Sequence, residues 1–243
     1  MAYQVDQNGV PILSRDDIER KAEEIIEYYF PGSLLEPNVT PLSEIAINFK
    51  NDFNVLFSFE EDLGLTNKGN KILGKFVTKP RAIFVDKSLD YNDPRWSFTL
   101  AHEIGHLILH RHVSIDLGKE HYSVFSDTIE QIKASLVQPW SPYQWLEWQA
   151  NSFASSLLMP RVRFHKAFQS AMREHPSSRN KQYIYLDQQP DNIRLLKEIK
   201  KNLERIFQVS SASLENRMKE VGVLIDARPG KMKHAIEFLR EET

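Results

Sequence analysis

His102, Glu103 and His106 lie within the five-residue string His-Glu-Ile-Gly-His. On a helix, the two histidines stand at i and i+4 on one face and can share one ion. Zinc suits such a pair, because it takes neutral imidazole nitrogens readily. A catalytic site needs only three protein ligands, which leaves the fourth position to water. The chemistry implied is metal-assisted hydrolysis with Glu103 as general base. Imidazole and carboxylate ligands also accept other divalent metals, manganese among them.

HExxH alone is only moderately specific, so a third ligand matters. His112 sits at the offset of the metzincin pattern, where a glycine bends the chain and returns a third histidine to the metal. Here Leu109 occupies the glycine position. A continuing helix would carry His112 away, and it reads as a helix-end histidine. His110 is a similar weak candidate, favourable near a helix C-terminus in any case. Glu147 opens a later helix on which Glu147, Ala150, Asn151, Ala154 and Leu158 form one stripe. Small alanines permit close helix packing, which would bring that carboxylate to the histidines, with Asn151 one turn on as an outer partner. Spacing alone leaves this reading level with a solvated helix-start glutamate.

The elements that must hold these residues can be read in outline. Ser14 and Asp17 resemble a capping box ahead of the apolar stripe Ile18, Ala22, Ile25 and Ile26, and Pro31-Gly32 ends that helix. A second helix starts near Pro41. Short β-rich runs follow at 53–59, 72–78 and 81–86, read as a small sheet, largely a meander. Asp93-Pro94 opens a long helix through roughly Arg111 that carries the motif. From His112 to Pro142 no periodicity is sustained, although 127–136 could form a short helix. A helix from about Gln144 to Leu158, closed by Pro160, carries Glu147. The polar stretch near 175–179 reads as a loop. After Pro190-Asp191 two helices, the second capped by Ser210 and closed by Gly222, have a helix-turn-helix cadence.

Composition narrows the function classes. The chain has 243 residues, 41% hydrophobic and 26% charged, as expected of one main globular domain with a small appended unit. A net charge of -2 supplies no overall field for nucleic acid or anionic lipid. There are no cysteines, so neither disulfides nor thiolate ligands are possible, which fits a reducing compartment. No secretion signal or membrane-spanning run is evident, and the expected location is the cytoplasm.

The segment Phe98-Thr-Leu-Ala-His-Glu-Ile-Gly-His, followed by Glu147-Trp-Gln-Ala-Asn-Ser-Phe-Ala-Ser-Ser-Leu-Leu-Met-Pro, resembles the ImmA/IrrE family of metallopeptidases. The likeness extends to the amino-terminal helices and to the tail segment Phe207 to Met218. It implies that His102, His106 and Glu147 bind one zinc per chain and that Glu103 is catalytic. It also implies an α+β, zincin-like fold of the gluzincin type, with a small, mainly antiparallel sheet over 1–185 and a helical, helix-turn-helix-like tail over 190–243. The departure is the connection between His106 and Glu147, 40 residues (107–146) that include Tyr122, Trp140, Tyr143 and Trp145.

The function implied is that of a zinc endopeptidase acting on a protein substrate. Relatives cut a helix-turn-helix repressor and so release phage, mobile-element or stress-response genes. Fold analogy places an extended substrate along a sheet edge, expected near Arg81 to Asp86. Tyr122, Tyr143 and His165 are imaginable oxyanion donors, none singled out. The alternative is a DNA- or protein-binding regulator that uses the tail, with a non-proteolytic zinc site. Residues 190–243 carry 11 Lys/Arg against 9 Asp/Glu, a net +2 that falls short of a basic stripe.

Overall fold

The computed structural model describes residues 4–6, 9–66, 69–111, 113, 120–123, 141–175 and 182–228. The chain divides into two compact units. One is Met1–Leu34 with Thr40–Pro160, and the other is Leu35–Val39 with Arg161–Thr243.

In the first unit, α1 (Arg15–Tyr29) is started by the Ser14–Asp17 capping box and buries Ile18, Ala22 and Ile26. α2 (Leu42–Asp52) buries Leu42, Ile45, Ala46 and Phe49. The strands are β1 (Leu56–Ser58), β2 (Gly74–Thr78), β3 (Arg81–Val85) and β4 (Glu120–Ser123), in the order β1-β3-β2-β4. β2 pairs antiparallel with both β3 and β4, whereas β1 lies parallel to β3. The sheet is therefore small, mixed and mainly antiparallel, and only its β2–β3 hairpin is a meander. β3 is interior, because β1 takes the edge expected of Arg81 to Asp86. A substrate strand cannot add there.

Phe76 and Ile83, directly opposite each other, are fully buried on the face that receives α3 (Pro94–His110). α3 starts where Asp93 accepts from the Arg95 N–H at 2.8 Å, with Pro94 at the first helical position. It is buried without a break from Thr99 to His110, so it runs through the core and carries the motif with it. α4 (Pro142–Leu158) starts at a second capping box, formed by Ser141 and Gln144. Pro142, where the aperiodic stretch read from the sequence ends, occupies the first turn of this helix, where its missing N–H costs nothing. α4 packs on α3 and also on α1. At the α3–α4 crossing, a Cβ on Gly105 would lie 3.2 Å from the Ala150 Cα and 3.2 Å from a Phe153 ring carbon. Glycine and alanine thus let the two backbones approach closely.

The second unit contains α5 (Arg161–Glu174), β5 (Ile184–Leu186), α6 (Pro190–Phe207), α7 (Ser211–Glu220) and β6 (Leu224–Asp226). β5 and β6 pair in parallel. Between α6 and α7, Gln208 adopts φ 52°, the left-handed cap that glycine would fill more easily. The sequence reading did not anticipate β4, α5, β5 or β6. α5 is legible in retrospect: Phe164, Ala167, Phe168, Ala171 and Met172 follow helical spacing and are buried. Pro160 does close a helix, as its residue type suggests, but another helix begins one residue later. The short helix expected at 127–136 lies outside the described residues.

Candidate metal centre

α3 and α4 bring His102, His106 and Glu147 together. The two Nε2 atoms are 3.0 Å apart, and the Glu147 carboxylate oxygens lie 3.4 Å from His102 Nε2 and 3.3 Å from His106 Nε2. One donor atom from each residue falls within 4.8 Å of the others, a cluster that could hold a metal ion. Donors held about 2.0–2.1 Å from a tetrahedral ion stand roughly 3.3 Å from one another, the edge of the tetrahedron. The observed separations match that edge, and two imidazoles with one carboxylate form a suitable donor set for zinc.

The electrostatics favour positive charge at the same place. Burial opposes a charge on the His102 ring, yet Glu147 and then Glu103 raise its pKa above the ordinary value. Burial likewise opposes a charge on Glu147, yet His102 and His106 hold its carboxyl far below the usual range. In both cases the partners outweigh desolvation, as a bound cation between them would also do.

Glu103 is fully buried beside the cluster, and its carboxylate faces the first residue of β2. A Cβ on Gly74 would lie 2.5 Å from Glu103 Oε1 and 2.5 Å from Thr99 Cγ2. Asn151 Oδ1 lies 3.0 Å from His102 Nδ1, which makes the ring nitrogen the donor. The arrangement can therefore do hydrolytic chemistry: a cation site, a buried carboxylate next to it and oriented imidazoles.

His110 is on α3 and fully buried, with Nδ1 2.9 Å from His106 Nδ1, so it stands behind the cluster rather than in it. α3 runs straight through Leu109, without the bend of the metzincin pattern. His112 lies outside the described residues. Tyr143, in the first turn of α4, directs its hydroxyl at Glu147; burial first, then the carboxylates of Glu147 and Glu103, push its pKa up. The Tyr122 backbone is placed opposite Lys75 in β4, and His165 belongs to α5 of the second unit. Sequence reasoning missed the contact between Gly74 and Glu103 and the partners of His110. The His106–His110 spacing of four was visible, but nothing local pointed to what else His110 meets.

Two helices crossing at a His-His-Glu cluster, with a small sheet against the first of them, define a zincin-like α+β protein. The Peptidase_M78 family model, described as the IrrE N-terminal-like domain, matches residues 60–219. The chain belongs to that metallopeptidase family. A Mycobacterium tuberculosis transcriptional regulator is similar in structure at 16% identity, with a TM-score of 0.49, over 84% of this chain and 55% of that one. This chain thus spans about half the length of that protein. No curated protein matches. Among the described residues, no helix is long and apolar enough to cross a membrane.

Proposed function

We propose that this chain is a zinc-dependent endopeptidase of the cytoplasm that makes a specific cut in a protein, in the first instance a helix-turn-helix repressor of phage, mobile-element or stress genes. The observation that carries the reading is the triangle of His102 Nε2, His106 Nε2 and the Glu147 carboxylate, with edges of 3.0 to 3.4 Å, on two helices packed in the core. His102, His106 and Glu147 would hold one zinc, though manganese fits the same donors. A bound zinc there supplies Lewis-acid polarisation of a carbonyl and a water acidified towards neutrality.

The chain's own residues do the rest. The Glu103 carboxylate accepts the proton of the attacking water and delivers it to the leaving amine nitrogen, so no covalent intermediate is needed. Its burial strengthens this role, because a carboxylate shielded from bulk water holds its proton for the leaving group. Asn151 accepts from His102 Nδ1–H and holds that ring in register. The peptidase segment is assigned to 1–185 and the appended helical unit to 190–243.

The test uses purified wild type and Glu103→Ala with a helix-turn-helix repressor encoded beside the gene. The expected result is about one zinc in each, with cleavage by the wild type alone. Zinc in both and cleavage by neither would sink the peptidase reading in favour of a regulator with a silent metal site.

A further inference from the structure

We propose that His110 and Gln149, anchored on the Pro11 carbonyl, are positioning residues that fix the His106 ring with its Nε2 lone pair aimed at the cluster. The inference rests on the metal reading above and adds residues that this reading does not use.

The chain of contacts begins outside both motif helices. Pro11, bridged to Val5 near the amino terminus, offers a backbone carbonyl, which can only accept. Gln149 Nε2 lies 2.7 Å from it, so the amide nitrogen faces Pro11 and the amide oxygen must face the other way. That oxygen is 2.9 Å from His110 Nε2 and can only accept, so His110 Nε2 carries the hydrogen. A neutral His110 then has its lone pair on Nδ1, which lies 2.9 Å from His106 Nδ1. His106 must donate there, which leaves its own lone pair on Nε2. That atom is 3.0 Å from His102 Nε2, whose hydrogen is drawn to the opposite side of the ring by Asn151.

Two lone pairs therefore face each other across 3.0 Å, with a carboxylate at 3.3 and 3.4 Å. With both rings neutral, no hydrogen within this triad separates them, and a cation is what such a set binds. His106, His110 and Gln149 are each at most 1% exposed, so water does not offer the rings an alternative partner. In the other tautomer of His106, an Nε2–H would point at the site and would have to be displaced before a metal could bind. Orientation of a ligand ring by its second nitrogen is the general role of such outer partners. What is particular here is a two-residue relay, His110 and Gln149, that ends on a backbone carbonyl near the start of the chain.

The test measures zinc dissociation constants by chelator competition in the full chain for wild type, His110→Phe, Gln149→Met, Gln149→Glu and the His110→Phe/Gln149→Met pair, with apo melting recorded for each. Phe keeps the ring volume, Met keeps the chain length without an acceptor, and Glu keeps the acceptor for His110 while losing the donor to Pro11. His110→Phe and Gln149→Met should each weaken zinc roughly 10- to 100-fold, and Gln149→Glu, which still accepts from His110 but has no hydrogen for the Pro11 carbonyl, should weaken it less than Gln149→Met does. The double variant should fall within about threefold of the weaker single, because both act through one ring.

Unchanged zinc affinity in folded His110→Phe and Gln149→Met, with only the melting point lowered, would overturn the relay and leave the two residues as packing. A double loss equal to the product of the single losses would overturn it as well. If His110→Phe fails to fold, ring nitrogen NMR of the apo wild type decides: hydrogen on His106 Nδ1 supports the relay, and hydrogen on Nε2 refutes it. A wild type that binds no zinc, with His106→Ala indistinguishable from it, removes the metal reading itself, and the apo ring spectrum then decides the tautomer on its own.

Discussion

Gly74 lacks a side chain where Glu103 has one, and that absence is what allows the carboxylate its place. A Cβ there would meet both Glu103 Oε1 and Thr99 Cγ2 at 2.5 Å, closer than real contacts permit, so both side chains must give way. Gly74→Ala should therefore displace the proposed general base while leaving the three ligand side chains where they are. The expected outcome is a fall in kcat of about 100-fold, the usual effect of misplacing a catalytic group by about 1 Å. Zinc affinity should stay within about threefold of wild type, since outer-partner effects of 10-fold or more belong to groups that touch ligands. Full activity in Gly74→Ala would show that Glu103 has room to spare. The two histidines and Glu103 were legible because helical spacing is local. Gly74 was not, because its reason for being glycine comes from a side chain on a different element. The relay behind His106 was hidden in the same way: Pro11, His110 and Gln149 are remote in sequence and meet only after α3 and α4 have packed.

The crossing of α3 and α4 sets the distance between the histidines and Glu147. Gly105 already holds the Ala150 backbone at a separation where an added Cβ would be tight, at 3.2 Å. Gly105→Val adds two further methyl groups and should push the helices apart, costing about 1–3 kcal/mol by overpacking. Urea unfolding should report that loss, and a zinc titration should show weakened binding, because Glu147 moves away with α4. Retained zinc affinity alongside lost stability would mean that the cluster does not depend on this crossing. The small-residue character of both helices could be read in the sequence, and so could the Asp93 cap of α3, whereas the Ser141 capping box of α4 was not read. The order of the strands could not be read. β5 and β6 are three residues each, too short for a periodic signal, and the parallel placement of β1 on β3 depends on pairing between distant segments.

Asp86, at the end of β3, ties the loop leading into β2 to the sheet. Its carboxylate accepts from the backbone N–H of Leu63 at 2.7 Å and of Ser88 at 2.9 Å, and it pairs with Lys71 at 3.0 Å. Burial alone would raise its pKa. The bonds from Ser88, Leu63 and Lys71 outweigh burial and lower it from 3.8 to about 2. A depressed folded pKa gives stability that is complete above the unfolded value and lost as pH falls through the folded one. The loss should therefore run from about pH 4 down to about pH 2 and amount to about 2 kcal/mol. Asp86→Asn should remove that slope. Urea midpoints of the two proteins should differ most at pH 5 and converge towards pH 2. Parallel curves across this range would show that Asp86 is not the group responsible.

All three proposed ligands lie in the first compact unit, and none lies in the second. α5 turns its aromatic face to α6, with Phe164 and Phe207 stacked at 5.5 Å, so it belongs to the same compact unit as the helices that follow it. Metal binding should then stabilise the two units unequally. Zinc at 100 times its dissociation constant stabilises whatever folds with the site by about 2.7 kcal/mol. If the first unit opens as its own cooperative body, amide exchange should slow in α3 and α4 by up to about 100-fold on adding zinc and should be restored by a chelator. α6 and α7 should exchange at the same rate in both states. Equal slowing in α6 and α7 would mean that the chain opens as one body, and the metal would then report on the whole molecule rather than on its first unit. No change in α3 and α4 would count against the metal site itself, since a ligand that binds only the folded state must protect the helices that carry its donors.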